Sequence, residues 1–358
     1  MRVVEVIAGL GRGGSERALL ARLAFAGRNH KSLVLSTRPA LTDLESEVEE
    51  LSALRVLKLS PQTLHRLLRV IRSFRPDVVL VHNPMESLWL LALGSRLLQV
   101  PVIVVAHSDR VSFRPQFEWL IRAALRVMNR RAAGHIAVSQ TAAEGDQCRG
   151  SRRVEVAHLG ALVDVKAIPE SPWPDGTKVR LLALGRFVTP KNFPSLVAAV
   201  ARVALVMRSV QGNLVIAGFG PDEAAIRSAI SKYGVTDLVT LRSDVKEPSG
   251  VLAAADLLVI SSTHEGGPLT AYEAAQFGVP IIGTPVGVVP AVVAGDTASV
   301  LLSGSSVEEL AEGLNAALER PILSSDARQR REIVGARWST EACSKEFYGA
   351  VERILASR

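Results

Sequence analysis

The sequence predicts an α/β chain of two domains, each built on a parallel sheet, and three observations carry that expectation. Short β-branched apolar runs alternate with helical stretches of ten or more residues, the signature of βαβ units. The rhythm stops at Pro169–Gly176, eight residues with three prolines and a glycine, and then restarts. A length of 358 residues, at about 150 per domain, accommodates two domains.

In the first half, Val3–Ala8, Ser32–Ser36, Asp77–Val81, Pro101–Ala106 and His135–Val138 read as buried strands, each brief and bounded by polar or turn residues. Helical stretches fall between them at Ser15–Ala26, Leu64–Phe74, Glu86–Leu98 and Gln116–Ala132. Beyond the proline-rich segment, strands follow at Val179–Leu184, Asn213–Ala217, Val239–Leu241, Leu257–Ser261 and Pro280–Gly283. The last helix, near Thr340–Leu355, is expected to pack back on the first half. The expected division is therefore 1–168, a linker at 169–177, a second domain at 178–336, and a crossover helix at 337–358. Ligands of open parallel sheets bind beyond the carboxyl ends of the strands, so a cleft between two such edges is the expected site.

Composition narrows the function. With 48% hydrophobic and 22% charged residues the chain is neither disordered nor a coiled coil. Two cysteines, Cys148 and Cys343, exclude a disulfide framework and a multi-cysteine zinc site, and fit a reducing cytoplasm. No window approaches ~18 uninterrupted apolar residues, and the first residues lack a signal-peptide layout. A cytoplasmic protein, soluble or held on the inner membrane face, is expected. The net charge is +7, with 34 Arg against 8 Lys. That excess favours an anionic partner such as a nucleotide or a phospholipid surface, although arginine-rich codon usage accounts for it equally well. Aromatic residues make up only 4%, leaving few platforms on which nucleic-acid bases stack, so no nucleic-acid partner is expected.

Two glycine-rich turns carry the chemistry. Gly9-Leu-Gly11-Arg-Gly13-Gly14 follows the first strand and opens a helix, where backbone N–H groups approach a phosphate. A dinucleotide site also wants an acid at the end of strand two, but that strand runs out as Leu35-Ser36-Thr37-Arg38-Pro39. Arg38 would suit a 2′-phosphate, which keeps an NADP-dependent oxidoreductase as an alternative. The second turn is richer: Glu265-Gly266-Gly267-Pro268-Leu269-Thr270 leads from a buried strand into a helix carrying Glu273. The N–H groups of Leu269 and Thr270 would meet an anion there, aided by the helix dipole. Two carboxylates beside a phosphate need cations, and Arg186 and Lys191, after the first strand of the second half, supply them.

With these residues in view, the chain resembles the retaining glycosyltransferases of family 4, which have the GT-B fold of two Rossmann-like domains facing across a cleft. The resemblance runs through Gly13-Gly14-Ser15-Glu16, Ala106-His107, Ile136–Ser139, Gly185-Arg186 with Lys191, the E-x7-E pair Glu265 and Glu273, Gly278-Val-Pro280 and Gly283-Thr284. It implies transfer of a hexose from a UDP- or GDP-sugar to a sugar or lipid-linked sugar, with no cofactor, in polysaccharide or glycoconjugate assembly. Carried over, it implies that Glu273 holds the ribose and that Glu265 contacts the donor sugar. The N–H groups after Gly266-Gly267 would take the phosphate, and Arg186 and Lys191 would neutralise the leaving diphosphate. Gly13 and Gly14 would close on the phosphates or the acceptor, His107 would touch the transferred sugar, and Ser243–Val245 would meet the base. The chain has no Asp-x-Asp triplet, consistent with fixed cations in place of a metal ion.

The sequence departs from the family at Val286–Ala291, where one glycine and an acid are missing, and at Leu159–Asp164. The altered Val286–Ala291 loop leaves a sugar-nucleotide-binding protein without turnover as a further alternative. Taken singly, Glu273 reads as an exposed helical glutamate, Lys191 as surface charge and His107 as a hydrogen-bonded strand-end histidine. His82 reads as structural or acceptor-side, and Asp109 and Arg110 as candidate acceptor contacts. Arg122, Arg126 and Arg130 form a stripe opposite Leu120 and Met128, which suits an anionic membrane surface or a solvated face.

Overall fold

A computed structural model of the protein describes residues 1–8, 14–26, 30–36, 53–56, 61–82, 99–108, 118–160, 171–245, 248–319 and 331–357. The expected helix Glu86–Leu98 lies outside the described residues, as do Gly9–Gly13, Asp109 and Arg110. The chain divides into two compact units, Met1–Leu162 with Thr340–Arg358, and Val163–Ser339.

The first unit holds seven parallel strands: β1 (Arg2–Ile7), β2 (Lys31–Ser36), β3 (Ala53–Val56), β4 (Val78–Val81), β5 (Val102–Ala106), β6 (Gly134–Ala137) and β7 (Val154–Val156). Their order is β3-β2-β1-β4-β5-β6-β7. The central strands are buried on both faces, which is why they read as unbroken Val/Ile/Leu runs rather than alternating patterns. Helix Gly14–Ala26 lies against β2 and also meets the last helix, Thr340–Ala356, which packs on β6 and β7 as well.

The second unit repeats the plan with six parallel strands: β8 (Val179–Leu184), β9 (Gly212–Ala217), β10 (Val239–Arg242), β11 (Leu257–Ile260), β12 (Ile281–Gly283) and β13 (Val300–Leu301). The order β10-β9-β8-β11-β12-β13 is the doubly wound arrangement, with its reversal between β8 and β11. Helices Phe193–Arg202, Glu223–Tyr233 and Val307–Leu318 cover one face and share a core with Leu181, Ile216 and Val259. The last of these starts on a capping box in which Ser306 and Glu309 satisfy each other's backbone N–H. Within the segment read as a linker, Trp173 is buried and donates its Nε1–H to the Leu181 carbonyl at 3.0 Å.

The anticipated strands are present in both sheets, with ends that differ by a residue or so. Three strands, β3, β7 and β13, were not anticipated. All three lie at sheet edges, where one side of the ladder is unpaired and a solid apolar run is not required. The basic helix, Glu118–Asn129, ends at Asn129 rather than at Ala132, and its faces differ from the expected ones. Leu125 and Asn129 are buried, whereas Leu120, placed by sequence on the packed side, is 51% exposed. Arg122 is not simply solvated, because it pairs with the buried Asp146 at 3.1 Å. Among the described residues, no helix is long and apolar enough to cross a membrane. Cys148 and Cys343 are unbonded and buried, and burial pushes both thiols up to about 12, so neither is a reactive thiolate.

His135 in β6 sets a pH limit on the fold. It is fully buried, and neither ring nitrogen hydrogen-bonds to a described residue. Burial lowers its pKa to about 4 from the ordinary 6.5. The unfolded chain therefore takes up a proton that the folded chain refuses, so stability falls as pH drops from 6.5 towards 4. The loss should reach about 3 kcal/mol, at 1.36 kcal/mol per pH unit. Chemical denaturation across that range should show the decline in the native protein and a flatter profile in His135→Leu.

Candidate active site

The described second-unit candidates leave the carboxyl edge of one sheet. β8 ends at Leu184, and Gly185 and Arg186 follow before a single 3-10 turn, Thr189–Lys191. β11 ends at Ile260 and continues as Ser261-Ser262-Thr263-His264-Glu265-Gly266-Gly267 into helix Leu269–Phe277. These two strands are neighbours at the point where the strand order reverses, where a parallel sheet leaves a crevice.

Hydrogen bonds tie the two loops together. Thr263 donates its backbone N–H to the Pro190 carbonyl at 2.8 Å, and the Ser261 hydroxyl donates to the Lys191 carbonyl at 2.8 Å. Lys191 then extends past Gly185 to place its Nζ 2.6 Å from Glu265 Oε1. The two are closely packed, and a Cβ on Gly185 would stand 3.0 Å from Lys191 Cε. The same Glu265 oxygen accepts from the Ser262 hydroxyl at 2.6 Å. Glu265 and Lys191 are 14% and 20% exposed, so the pair is partly desolvated and stronger than a surface ion pair.

Beyond Glu265 the chain turns through Gly266 and Gly267. Pro268 takes the N-cap position rather than the first turn, with φ −63° and ψ 115°. No side chain caps this helix; the Ala271 N–H donates to the Pro268 carbonyl at 3.0 Å, while the N–H groups of Leu269 and Thr270, ahead of it, have no side-chain acceptor. Leu269 is buried and Thr270 half-buried. Glu273, one turn in, is only 1% exposed, which corrects its reading as an exposed helical glutamate.

Arg186 is exposed and makes no ion pair with a described residue, so it stands free at the end of β8. Val245, beyond β10, is half-buried. Just before it Arg242 clamps Asp244 through both oxygens at 2.8 and 2.9 Å, and those hydrogen bonds hold the Asp244 carboxyl below its ordinary range. Gly14 is exposed at the start of its helix, while Gly13 lies outside the described residues. His107, in the first unit, is partly exposed at the end of β5, and its Nε2 lies 2.8 Å from His82 Nδ1. Burial above all holds its imidazole well below the usual range and therefore neutral.

Two residues that sequence reasoning missed complete the first-unit group. Glu5, in the middle of β1, approaches His82 Nε2 at 2.5 Å, and Arg22 contacts both its oxygens at 3.1 Å. The available signal was a lone charge inside an otherwise apolar strand, matched by a lone arginine inside an apolar helix face. Among the described residues, no group of three or more His, Cys, Asp or Glu side chains is placed to hold a metal ion.

Residues 164–333 match the family described as glycosyl transferases group 1, and residues 12–165 match glycosyltransferase family 4. The two matches are contiguous and together span most of the chain. Each half of the chain thus matches a glycosyltransferase family. The glycosyltransferase is 27% identical to a 2-deoxystreptamine glucosyltransferase of Streptomyces kanamyceticus, over 92% of this chain and 90% of that protein. It is 28% identical to an MMP alpha-(1->4)-mannosyltransferase of Mycolicibacterium hassiacum, over 81% of this chain and 75% of that one. Its fold is that of Anabaena HepE in complex with UDP, with a TM-score of 0.78, 17% identity and coverage of 99% and 100% of the two chains. The sucrose-phosphate synthase of Thermosynechococcus elongatus superposes with a TM-score of 0.77, 18% identity and full coverage of both chains.

The divergent loop after β12 supports the Glu265–Gly267 turn from behind. Gly287 has φ +53°, and a Cβ there would meet the carbonyl oxygens of Gly266 and Glu265 at 2.7 and 2.9 Å. Gly287→Ala in the glycosyltransferase should cost about 1–3 kcal/mol of stability, from backbone strain and displaced carbonyls. Denaturant unfolding of the variant beside the native protein measures this.

Proposed function

We propose that the glycosyltransferase moves a hexose from a UDP- or GDP-sugar to a sugar or glycolipid acceptor, with retention at the anomeric carbon and without a metal ion or other cofactor. The observation that carries this reading is the Lys191–Glu265 pair beside an uncapped helix N-terminus, at the point where the strand order reverses. Breaking a sugar–diphosphate bond develops positive charge at the anomeric carbon and negative charge on the leaving diphosphate. Lys191, Arg186 and the N–H groups of Leu269 and Thr270 stabilise that negative charge as it grows, which is where electrostatic catalysis has its effect. Gly266, Gly267 and Pro268 shape the turn so that the phosphate can approach the backbone closely.

Glu265 serves the donor sugar's hydroxyls, and the buried Glu273 accepts from the ribose. Val245, with Ser243, meets the base through its backbone. Gly13 and Gly14 serve the phosphates or the acceptor, and His107 touches the transferred sugar. The acceptor attacks from the face that the diphosphate leaves. Names among the relatives support a hexose donor, since they include a glucosyltransferase and a GDP-mannose-dependent alpha-mannosyltransferase. Polysaccharide or glycoconjugate assembly is the setting that follows.

A thermal-shift screen across UDP, GDP, ADP, TDP and NADP tests the site. One nucleoside diphosphate should raise the melting temperature, and Lys191→Ala and Glu273→Ala should each abolish that rise. An undiminished rise in both variants overturns the assignment.

Helix Glu118–Asn129 supports work at an anionic membrane surface. Trp119 is 72% exposed beside exposed Leu120 and Val127, and Arg126 and Arg130 are exposed near them. The protein should co-sediment with phosphatidylglycerol vesicles and not with phosphatidylcholine vesicles. Equal or absent binding to both removes the membrane from this reading.

A further inference from the structure

In the first unit, a line of polar groups crosses three adjacent strands, and the chemistry proposed above uses only its outermost member. Glu5 sits in β1, His82 follows β4, and His107 follows β5, with β1, β4 and β5 consecutive in the sheet. This is also where the strand order of that sheet reverses, so the line runs from the sheet interior to its carboxyl edge.

The inner end is an ionised carboxylate. Glu5 is fully buried, and burial alone would raise its pKa, but Arg22 and His82 outweigh that effect and hold it at about 2. Arg22 is itself buried, with its guanidinium over the Phe347 ring at 4.2 Å from the centroid. Burial and the Glu5 charge push the neighbouring Tyr348 hydroxyl up, so it contributes no charge. An ionised carboxylate can only accept hydrogen bonds, so the short contact to His82 requires a proton on His82 Nε2. With that single proton, the His82 ring presents a lone pair at Nδ1. The 2.8 Å contact there requires His107 to donate from Nε2. The remaining nitrogen of His107, Nδ1, is left with a lone pair.

We propose that Glu5, Arg22 and His82 are positioning residues that lock His107 in the Nε2–H tautomer, so that its Nδ1 accepts a hydrogen bond from a hydroxyl of the transferred sugar. The last clause rests on the proposed sugar contact of His107; the locking itself does not. Orientation of one imidazole through the other follows the general rule that the bond made at one ring nitrogen selects the role of the other. Arg22 keeps Glu5 ionised, and Phe347 and helix Thr340–Ala356 hold Arg22 in place. A charge pair that would be costly in a sheet core thereby acts at the sheet edge through two hydrogen bonds.

The test uses protein labelled with [15N]histidine and long-range 1H–15N spectra, which distinguish protonated from unprotonated ring nitrogens. In the native protein His107 should show a proton on Nε2 and none on Nδ1 at neutral pH. His82→Phe preserves the ring shape, leaves Glu5 neutralised by Arg22, and should let His107 exchange between tautomers. It should also lower kcat/KM for the sugar nucleotide about fivefold to tenfold, the worth of one neutral hydrogen bond. Binding of the nucleoside diphosphate alone should not change. If His82→Phe does not fold, His82→Leu serves instead, since it too offers His107 no acceptor. A native His107 protonated on Nδ1, or a tautomer unchanged in the folded variant, overturns the lock. A tautomer change with transfer unaffected upholds the lock and overturns instead the role of His107 at the sugar.

Discussion

A parallel sheet whose strand order reverses beside its first strand constrains everything else in this protein. After β8 the chain winds to one side through β9 and β10, and it returns to add β11 on the other side. The loops leaving β8 and β11 therefore depart in opposite directions, and no crossover helix covers the gap between them. Lys191 comes from one loop and Glu265 from the other, and their ion pair bridges the reversal. The first unit repeats the geometry between β1 and β4, where Glu5 and His82 meet. Two sites of different chemistry thus occupy equivalent places in two similar sheets.

Both places concentrate charge where water is scarce, and each resolves the cost differently. The Glu5–Arg22 pair is sealed, with a carboxylate held ionised by a guanidinium that an aromatic ring covers. Such a pair tolerates no loss of one partner, because the other would remain a buried unpaired charge. The Lys191–Glu265 pair is partly open, and Ser262 shares the carboxylate oxygen. An incoming diphosphate would compete with Glu265 for the lysine and release the carboxylate towards hydroxyl groups of the ligand.

Much of this was legible in the residues because it is local. The turn Glu265–Thr270 announces itself through two glycines and a proline between a buried strand and a helix, and Gly185 with Lys191 lies within a single loop. The central strands were readable because burial on both faces demands unbroken apolar runs. The edge strands β3, β7 and β13 escaped notice because that demand is absent at an edge. The exposure of Leu120 was misjudged for a related reason: the arginine spacing defines a stripe, but not which neighbouring face the sheet will cover.

By itself, the sequence determined the two α/β units, their parallel strands and the glycine-rich turn after β11, since each depends on residues close together in the chain. Only the tertiary structure decided that Glu273 is buried, that Lys191 grips Glu265, and that Glu5, Arg22, His82 and His107 form one line. Those contacts join residues 17 to 77 positions apart. Strand order, which no local pattern encodes, is what brings them within hydrogen-bonding distance.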